Sequence, residues 1–543
     1  MGQQALLFES AAPAEGTPAP PRTPKARKRL TAYDLAKRQR EISVSEFFTK
    51  NRHLLGFDNP TKALLTAIKE AVDNSLDACE EAGILPEVRI IIREVVKEKR
   101  YRIIVEDNGP GILRSQVPKI FGKLLYGSKF HRLKMSRGQQ GIGISAAAMY
   151  GQLTTGQPTV IISKFSPKKP ALRYEIMIDT KKNEPRVIKE EPCDWNGDHG
   201  TRVEIELEAR YQRGRRSVDA YIEQTAITNP HVRIVYVTPD GNTRTFPRAT
   251  TEMPRDPKEI KPHPHGIELG MLMRMLEDTK ARHLKSFLTS EFSRVSPRVA
   301  DQIIANAGLQ PNNRPSRIAR QEAETLYKAI QSVRIMNPPT DCVCPIGEEL
   351  LLKGVKKELK ADFYTAVTRP PAVYRGNPFV IEAALAYGGE IPDEGPVRLL
   401  RFANRVPLLY QQSACAITRA VTTTSWRNYR LSQSAGALPV GPAIIIVHIA
   451  SVWVPFTSES KEAIAHYPEI IKEVRLALQA CGRRMAVHIS RRRREAEAER
   501  RRSYIEKYIP HIGIGLREIL GLSERQEAEV VNKLSAMLRK SRK

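Results

Sequence analysis

Three short polar segments near the start of the chain carry side chains able to do chemistry together. Glu70 and Asn74 stand one helical turn apart in Glu70-Ala-Val-Asp-Asn74-Ser-Leu-Asp77. Asp107-Asn-Gly109-Pro-Gly111 ends a strand-like run, and Gly138-Gln139-Gln140-Gly141-Ile142-Gly143-Ile144-Ser145 opens a helical one. A glutamate can act as a base, and a carboxamide oxygen can ligate a metal ion. An ionised aspartate at a turn can accept a hydrogen bond from the exocyclic amine of a nucleobase. Glycines leading into a helix aim backbone N–H groups at phosphate oxygens, assisted by the helix dipole. Together these are the parts of an ATP site. The glycine segment is not a Walker loop, because no Lys-Ser/Thr follows it. Nor does it follow the first strand of its domain, as a Rossmann turn would.

The elements that must position these residues are legible from periodicity. At ~100° per residue, Leu65, Ile68, Val72, Leu76 and Cys79 fall on one helical stripe, with Glu70, Asn74 and Asp77 roughly opposite. That helix can pack on a sheet and present its polar residues beyond it. Segments 89–93, 101–106, 159–163, 173–178 and 201–207 read as strands, which predicts one mixed sheet covered by helices, an α/β sandwich. Pro257, Pro262 and Pro264 mark a linker. After it come helical stretches at 266–276, 284–288, 298–304 and 316–330, then strands at 379–387, 397–405 and 443–449. Beyond Ser460 the pattern is helical and charged, with the basic run Arg491-Arg-Arg-Arg followed by Glu495 and Glu497.

A chain of 543 residues is too long for one core, so three or four domains are expected. Lys and Arg number 87 against 60 Asp and Glu, a net charge of +27 that favours a polyanionic partner, most simply nucleic acid. Residues 1–30 are rich in Ala and Pro and then turn basic, the composition of a disordered arm. No secretory signal and no uncharged apolar run of spanning length is present, so no membrane partner is expected. The cysteines at 79, 193, 342, 344, 415 and 481 lack metal-site spacing and fit a reducing, cytoplasmic compartment.

In this order and spacing, the three polar segments resemble the GHKL ATPase superfamily of gyrase B, the heat-shock chaperones, MutL and histidine kinases. Further segments are similar to the B subunits of DNA topoisomerase VI. They are the strap-like Lys37-Arg-Gln-Arg-Glu-Ile-Ser-Val-Ser-Glu-Phe-Phe and Phe121-Gly-Lys-Leu-Leu-Tyr-Gly-Ser128-Lys129-Phe-His. The helical insert at 266–330, Val397-Arg-Leu-Leu-Arg-Phe-Ala-Asn-Arg-Val-Pro-Leu-Leu-Tyr410 and Trp453-Val-Pro-Phe-Thr-Ser-Glu-Ser-Lys461-Glu-Ala-Ile carry the likeness onward.

The resemblance implies an α+β multidomain chain. Its parts would be a strap plus GHKL α/β sandwich at 31–250 and an all-helical helix-two-turn-helix module at 255–335. An α/β transducer with a long C-terminal helix would follow at 336–490, and a basic helical tail at 491–543. It implies ATP and Mg2+ as cofactors. Glu70 would be the catalytic base, Asn74 the magnesium ligand and Asp107 the adenine reader, backed by Thr201 of Gly200-Thr201. Ser128 and Lys129 would flank the nucleotide, the segment Gly138 to Ser145 would form its lid, and Lys461 would contact the γ-phosphate from the transducer. His131 and His199 are expected to be structural.

The implied activity is that of an ATP-hydrolysing component of a type II topoisomerase, which dimerises through its ATPase domain when ATP binds. DNA cleavage would come from the topoisomerase VI A subunit, in a nucleoid-associated heterotetramer of two A and two B. The sequence carries no acidic cluster of the topoisomerase-primase kind. Two alternatives remain, a MutL-like ATP-dependent DNA clamp or scaffold in repair and a non-hydrolysing relative; intact Glu70 speaks against the latter.

Overall fold

The computed structural model describes residues 31–37, 39–129, 132–138 and 141–540. The basic arm at 1–30, His131, Gln139 and Gln140 lie outside the described residues. The chain divides into two units, Met1–Ile42 and Ser43–Lys543. In the first, helix α1 (Ala32–Ala36) is closed by a capping box. The Thr31 hydroxyl accepts from the Asp34 N–H, and the Asp34 carboxylate accepts from the Thr31 N–H.

The second unit opens with helix α2 (Val44–Lys50), which is tied down by its first turn. The Ser43 hydroxyl donates to the Thr180 carbonyl at 2.5 Å, and the Ser45 hydroxyl donates to Asn183 Oδ1 at 2.9 Å. Helix α3 (Pro60–Glu81) starts where Asn59 Oδ1 accepts from the Lys62 N–H and Pro60 supplies a preset first turn. Its stripe of Leu65, Ile68, Val72, Leu76 and Cys79 is buried, as the periodicity predicts.

Beneath α3 lies a sheet built from β1 (Glu87–Val96), β2 (Arg100–Asp107), β3 (Thr159–Lys164) and β4 (Ala171–Asp179). It is completed by β5 (Glu184–Cys193), β6 (Gly200–Glu208), β7 (Arg233–Val237) and β8 (Thr243–Phe246). The order is β5-β4-β3-β6-β2-β1-β7-β8, antiparallel except where β1 runs parallel to β7. Helices α4 (Val117–Gly122), α5 (Gly143–Thr155) and α6 (Val218–Thr228) complete this α/β sandwich. In the β2–β6 register Asp107 faces Thr201, so the central pair of strands ends at two of the expected site residues.

The helical module comprises α7 (Leu269–Asp278), α8 (Leu284–Glu291), α9 (Pro297–Ala307) and α10 (Arg320–Ser332). It has its own core of Leu272, Phe287, Leu288, Ile303, Leu326 and Ile330. Two helices begin later than periodicity predicts, at Leu269 rather than 266 and at Arg320 rather than 316. Pro264–Gly266 and Pro315–Arg317 each form an isolated 3-10 turn instead. The Glu322 carboxylate then accepts from the Ala319 N–H and fixes the start of α10.

The second sheet comes after α11 (Glu348–Glu358). Its strands are β9 (Phe363–Thr368), β10 (Ala372–Tyr374), β11 (Asn377–Tyr387), β12 (Arg398–Ala403), β13 (Val406–Pro407) and, after α12 (Ala416–Thr423), β14 (Ala443–Ser451). They lie in the order β10-β11-β14-β12-β13, with β9 also on β11. Every residue of β14 is buried, because both faces of the sheet are covered. Helices α12 and α13 (Pro468–Leu520) pack on one face, α11 on the other. Helix α13 is continuous for 53 residues, through Arg491–Arg494, and α14 (Glu524–Lys540) folds back on it after Gly521. Among the described residues no helix is long and apolar enough to cross a membrane.

Candidate active site

Helix α3, the end of β2, the start of α5 and the loop before α13 enclose a cavity of about 500 Å³. That is the size range of a nucleotide pocket. Glu70, Asn74, Asp107, Ser128, Lys129, Gly138, Gly141, Ile142, Gly143, Ile144, Thr201 and Lys461 all line it, residues drawn from almost four hundred positions of chain. Phe57, Ile112, Ile120, Phe121 and Val203 supply an apolar wall. Ser145 does not line the cavity; it is buried and its hydroxyl donates to the Ile142 carbonyl at 2.9 Å, closing the first turn of α5.

Glu70 projects from the middle of α3 onto the start of α5. A Cβ at Gly143 would overlap its carboxylate, so a side chain there would have to displace Glu70. Lys69 Nζ lies 3.3 Å from Glu70 Oε1 and 3.8 Å from Asp73 Oδ2. Burial alone would push the Glu70 carboxyl up, but Lys69 and Lys461 together outweigh it and hold the group below its ordinary value. Asp73, one turn on, accepts from the Tyr221 hydroxyl at 3.0 Å, and burial pushes it up to about 6. Asn74 is exposed to the cavity, its Oδ1 3.7 Å from where a Gly138 Cβ would sit.

Asp107 is buried at the back. Its carboxylate accepts from the Ser75 hydroxyl at 2.7 Å and from the Gly109 N–H at 2.9 Å. Burial dominates these bonds and pushes the carboxyl up to about 6. The next turn is closely packed: a Cβ at Gly111, whose φ is +73°, would strike the Lys164 backbone. His199 donates from Nδ1 to the carbonyls of Asn108 and Gly109 at 2.9 and 2.8 Å, a structural tie.

Asp77 does not line the cavity but binds residues that do, accepting from the Gly138 N–H at 3.3 Å. It pairs with Lys129 Nζ at 2.5 Å and Arg137 Nη1 at 3.0 Å. Arg137 also forks onto Glu80 at 2.7 Å and reaches Asn229 Oδ1 at 2.5 Å. This places a buried guanidinium, with both terminal nitrogens engaged and Nε unpartnered, at the root of the glycine segment. The second sheet grips the same root: Asn404 Nδ2 donates to the Ser136 carbonyl at 3.0 Å, and Lys461 Nζ to the Arg137 carbonyl at 3.3 Å. Burial pulls the Lys461 ammonium below its ordinary value, against the attraction of Glu70.

The pattern along the chain does not single out Lys69, Arg137, Asp73 or Tyr221. Lys69 had a signal, a cation immediately before the candidate base. Arg137 had one also, immediately before the first lid glycine. Tyr221 had none, since it reaches Asp73 only through the packing of α6 on α3.

The arrangement can orient a water on a carboxylate, read an amine and cradle phosphates. Comparison with known proteins agrees with that chemistry. Residues 59–211 match the histidine kinase-, DNA gyrase B- and HSP90-like ATPase family. Residues 338–501 match the topoisomerase VI B subunit transducer family. The type 2 DNA topoisomerase 6 B subunit of Methanosarcina barkeri is 50% identical over 490 residues, 90% of this chain and 79% of the relative. That of Methanococcoides burtonii is 51% identical over 490 residues, with the same shares covered. That of Archaeoglobus fulgidus is 49% identical over 494 residues, 91% of this chain and 81% of the relative. With the ATPase sheet, the transducer sheet and nine-tenths of the chain so matched, the chain belongs to the family of type 2 DNA topoisomerase 6 B subunits, the ATP-binding components of a type II DNA topoisomerase.

Proposed function

We propose that this chain hydrolyses ATP in the cavity beneath α5 and uses the cycle to gate the passage of one DNA duplex through another. Glu70 orients and deprotonates the attacking water, Asp107 and Thr201 receive the adenine, and the glycine segment 138–144 covers the phosphates. Asn74 offers one neutral oxygen into the cavity, which suits Mg2+, an ion that takes most of its ligands from water and phosphate. Asn74 would hold magnesium there, and the ion would supply charge neutralisation between phosphates. Lys461 contacts the γ-phosphate and so ties nucleotide state to the transducer.

The observation that carries this reading is the meeting of Glu70, Asp107, the lid glycines and Lys461 around one cavity. ATP binding then orders the lid and joins two copies through their ATPase domains. The transducer swing passes to the DNA-cutting A subunit, in a nucleoid-associated assembly of two A and two B. The far half of α13 supports such a partner: it exposes Tyr504, Ile505, Ile519 and Leu520.

Changing Glu70→Gln tests the assignment. ATP binding and ATP-dependent dimerisation should persist while turnover falls by about 10²- to 10⁴-fold. Turnover at the wild-type rate would show that another group is the base.

A further inference from the structure

The loop that delivers Lys461 is itself held to the ATPase domain by the next residue. Glu462 Oε1 lies 2.5 Å from Lys62 Nζ, and the same ammonium reaches Asp58 Oδ1 at 2.8 Å. Lys62 stands in the first turn of α3, two turns before Glu70 on the same helix. Its ammonium also sits 5.5 Å from the centre of the Tyr410 ring, which comes from the transducer segment after β13. The pair is enclosed, with side chains 11% and 7% exposed. It therefore joins the helix carrying Glu70 and Asn74 to the loop carrying Lys461.

The backbone at that point points the same way. Lys461 has φ +53°, the left-handed region that a residue with a Cβ adopts only when its surroundings over-determine it. Two contacts do so. The Lys461 N–H donates to the Ser458 carbonyl at 3.1 Å, and the Lys62–Glu462 pair pins the residue after it. An enclosed ion pair is a poor source of net stability, and its best-attested use is to specify one register among several. Here the two partners lie on elements that a transducer swing would move apart.

We propose that Lys62 and Glu462 form a registry latch that sets Lys461 in the nucleotide cavity, so that both are positioning residues for recognition of the γ-phosphate. This rests on the reading of Lys461 as the γ-phosphate contact. The latch makes a selective prediction: losing it weakens nucleotides that carry a γ-phosphate and spares those that do not.

The test is titration of the full chain with a non-hydrolysable ATP analogue and, separately, with ADP. The chains compared are wild type, Glu462→Gln, Lys62→Met, the double variant, Lys62→Arg and Lys461→Met. The expected result is a loss of about 5- to 20-fold for the analogue in each neutralising single variant, with ADP affinity within about twofold of wild type. The double variant should be no worse than the weaker single, because both remove one interaction. Lys62→Arg, which keeps the charge, should bind as wild type does. Retained ADP affinity reports that the variants are folded. Equal losses for both nucleotides, no loss, or a double variant whose loss is the product of the singles would overturn the latch. Lys461→Met separates the two readings. If it leaves the analogue unaffected, the γ-phosphate role of Lys461 falls and the latch with it. If it weakens the analogue while Glu462→Gln does not, only the latch falls.

Discussion

Glu70 and Asp107 are both buried carboxylates on one cavity, yet their surroundings drive them in opposite directions. Lys69 and Lys461 hold Glu70 ionised despite its burial, the state a base requires. Asp107 has only neutral donors, the Ser75 hydroxyl and the N–H groups of Gly109 and Thr201, and burial wins, to about 6. A free aspartate titrates near ~3.9, so the folded value is raised above the unfolded one. Ionised Asp107 therefore costs the nucleotide-free chain roughly 3 kcal/mol at neutral pH, a cost relieved progressively as pH falls from about 6 to ~4. In the proposed role the ionised form is the stronger acceptor for an adenine amine, so affinity moves the other way. Affinity for an ATP analogue, measured by titration, should fall about tenfold between pH 7.5 and pH 5. In Asp107→Asn that part of the pH dependence should vanish. The variant should melt at a higher temperature than wild type at pH 7 without nucleotide, while binding ATP poorly.

At the scale of elements, the decisive contact is α3 against the start of α5. With glycine at 143 the start of α5 approaches the Glu70 carboxylate in its present position. Gly143→Ala should fold, since alanine favours helix, but must displace either Glu70 or the helix start. A shift of about an ångström at a catalytic group commonly costs on the order of 10²-fold. Steady-state ATPase should therefore fall by about that factor, with little change in melting temperature. Wild-type turnover would show that the carboxylate has room to move. The amphipathic stripe of α3 and the apolar run of β14 were legible because burial imposes a period or a continuous run. Strand β5 was not: it is an edge strand with most side chains exposed, so Glu184–Cys193 carries no alternation to read.

At the scale of the whole molecule, one cavity is lined from both the ATPase domain and the loop that follows the second sheet. The transducer reaches the ATPase domain through Asn404 on Ser136, Lys461 on Arg137 and Glu462 on Lys62. The residues at the root of the glycine segment therefore touch the second domain directly. The excess of 87 Lys and Arg over 60 Asp and Glu belongs to this scale too. Arg491–Arg494 are exposed along α13, and Arg491 and Arg493 are only partly offset by Glu495 and Glu497 one turn on. If such residues meet phosphates of a captured duplex, DNA stimulation of the ATPase should fall at least about tenfold between 50 and 300 mM salt. Stimulation that is indifferent to salt would remove charge from the account.

The sequence by itself determined the chemistry available: a carboxylate and a carboxamide one turn apart, an aspartate on a glycine turn, and glycines before a helix. Local rules read these well, because spacing along a helix and the conformations open to glycine depend on nearby residues alone. Tertiary structure decided which of those groups act. It tied Asp77 to Arg137 and Lys129, buried Ser145, paired Lys69 with Glu70, and brought Lys461 into the cavity across almost four hundred residues. Lys69 neighbours Glu70 in the chain and Lys461 lies in a motif that resembles its family's; the other outcomes depend on burial and on charges from distant segments, which no local pattern carries.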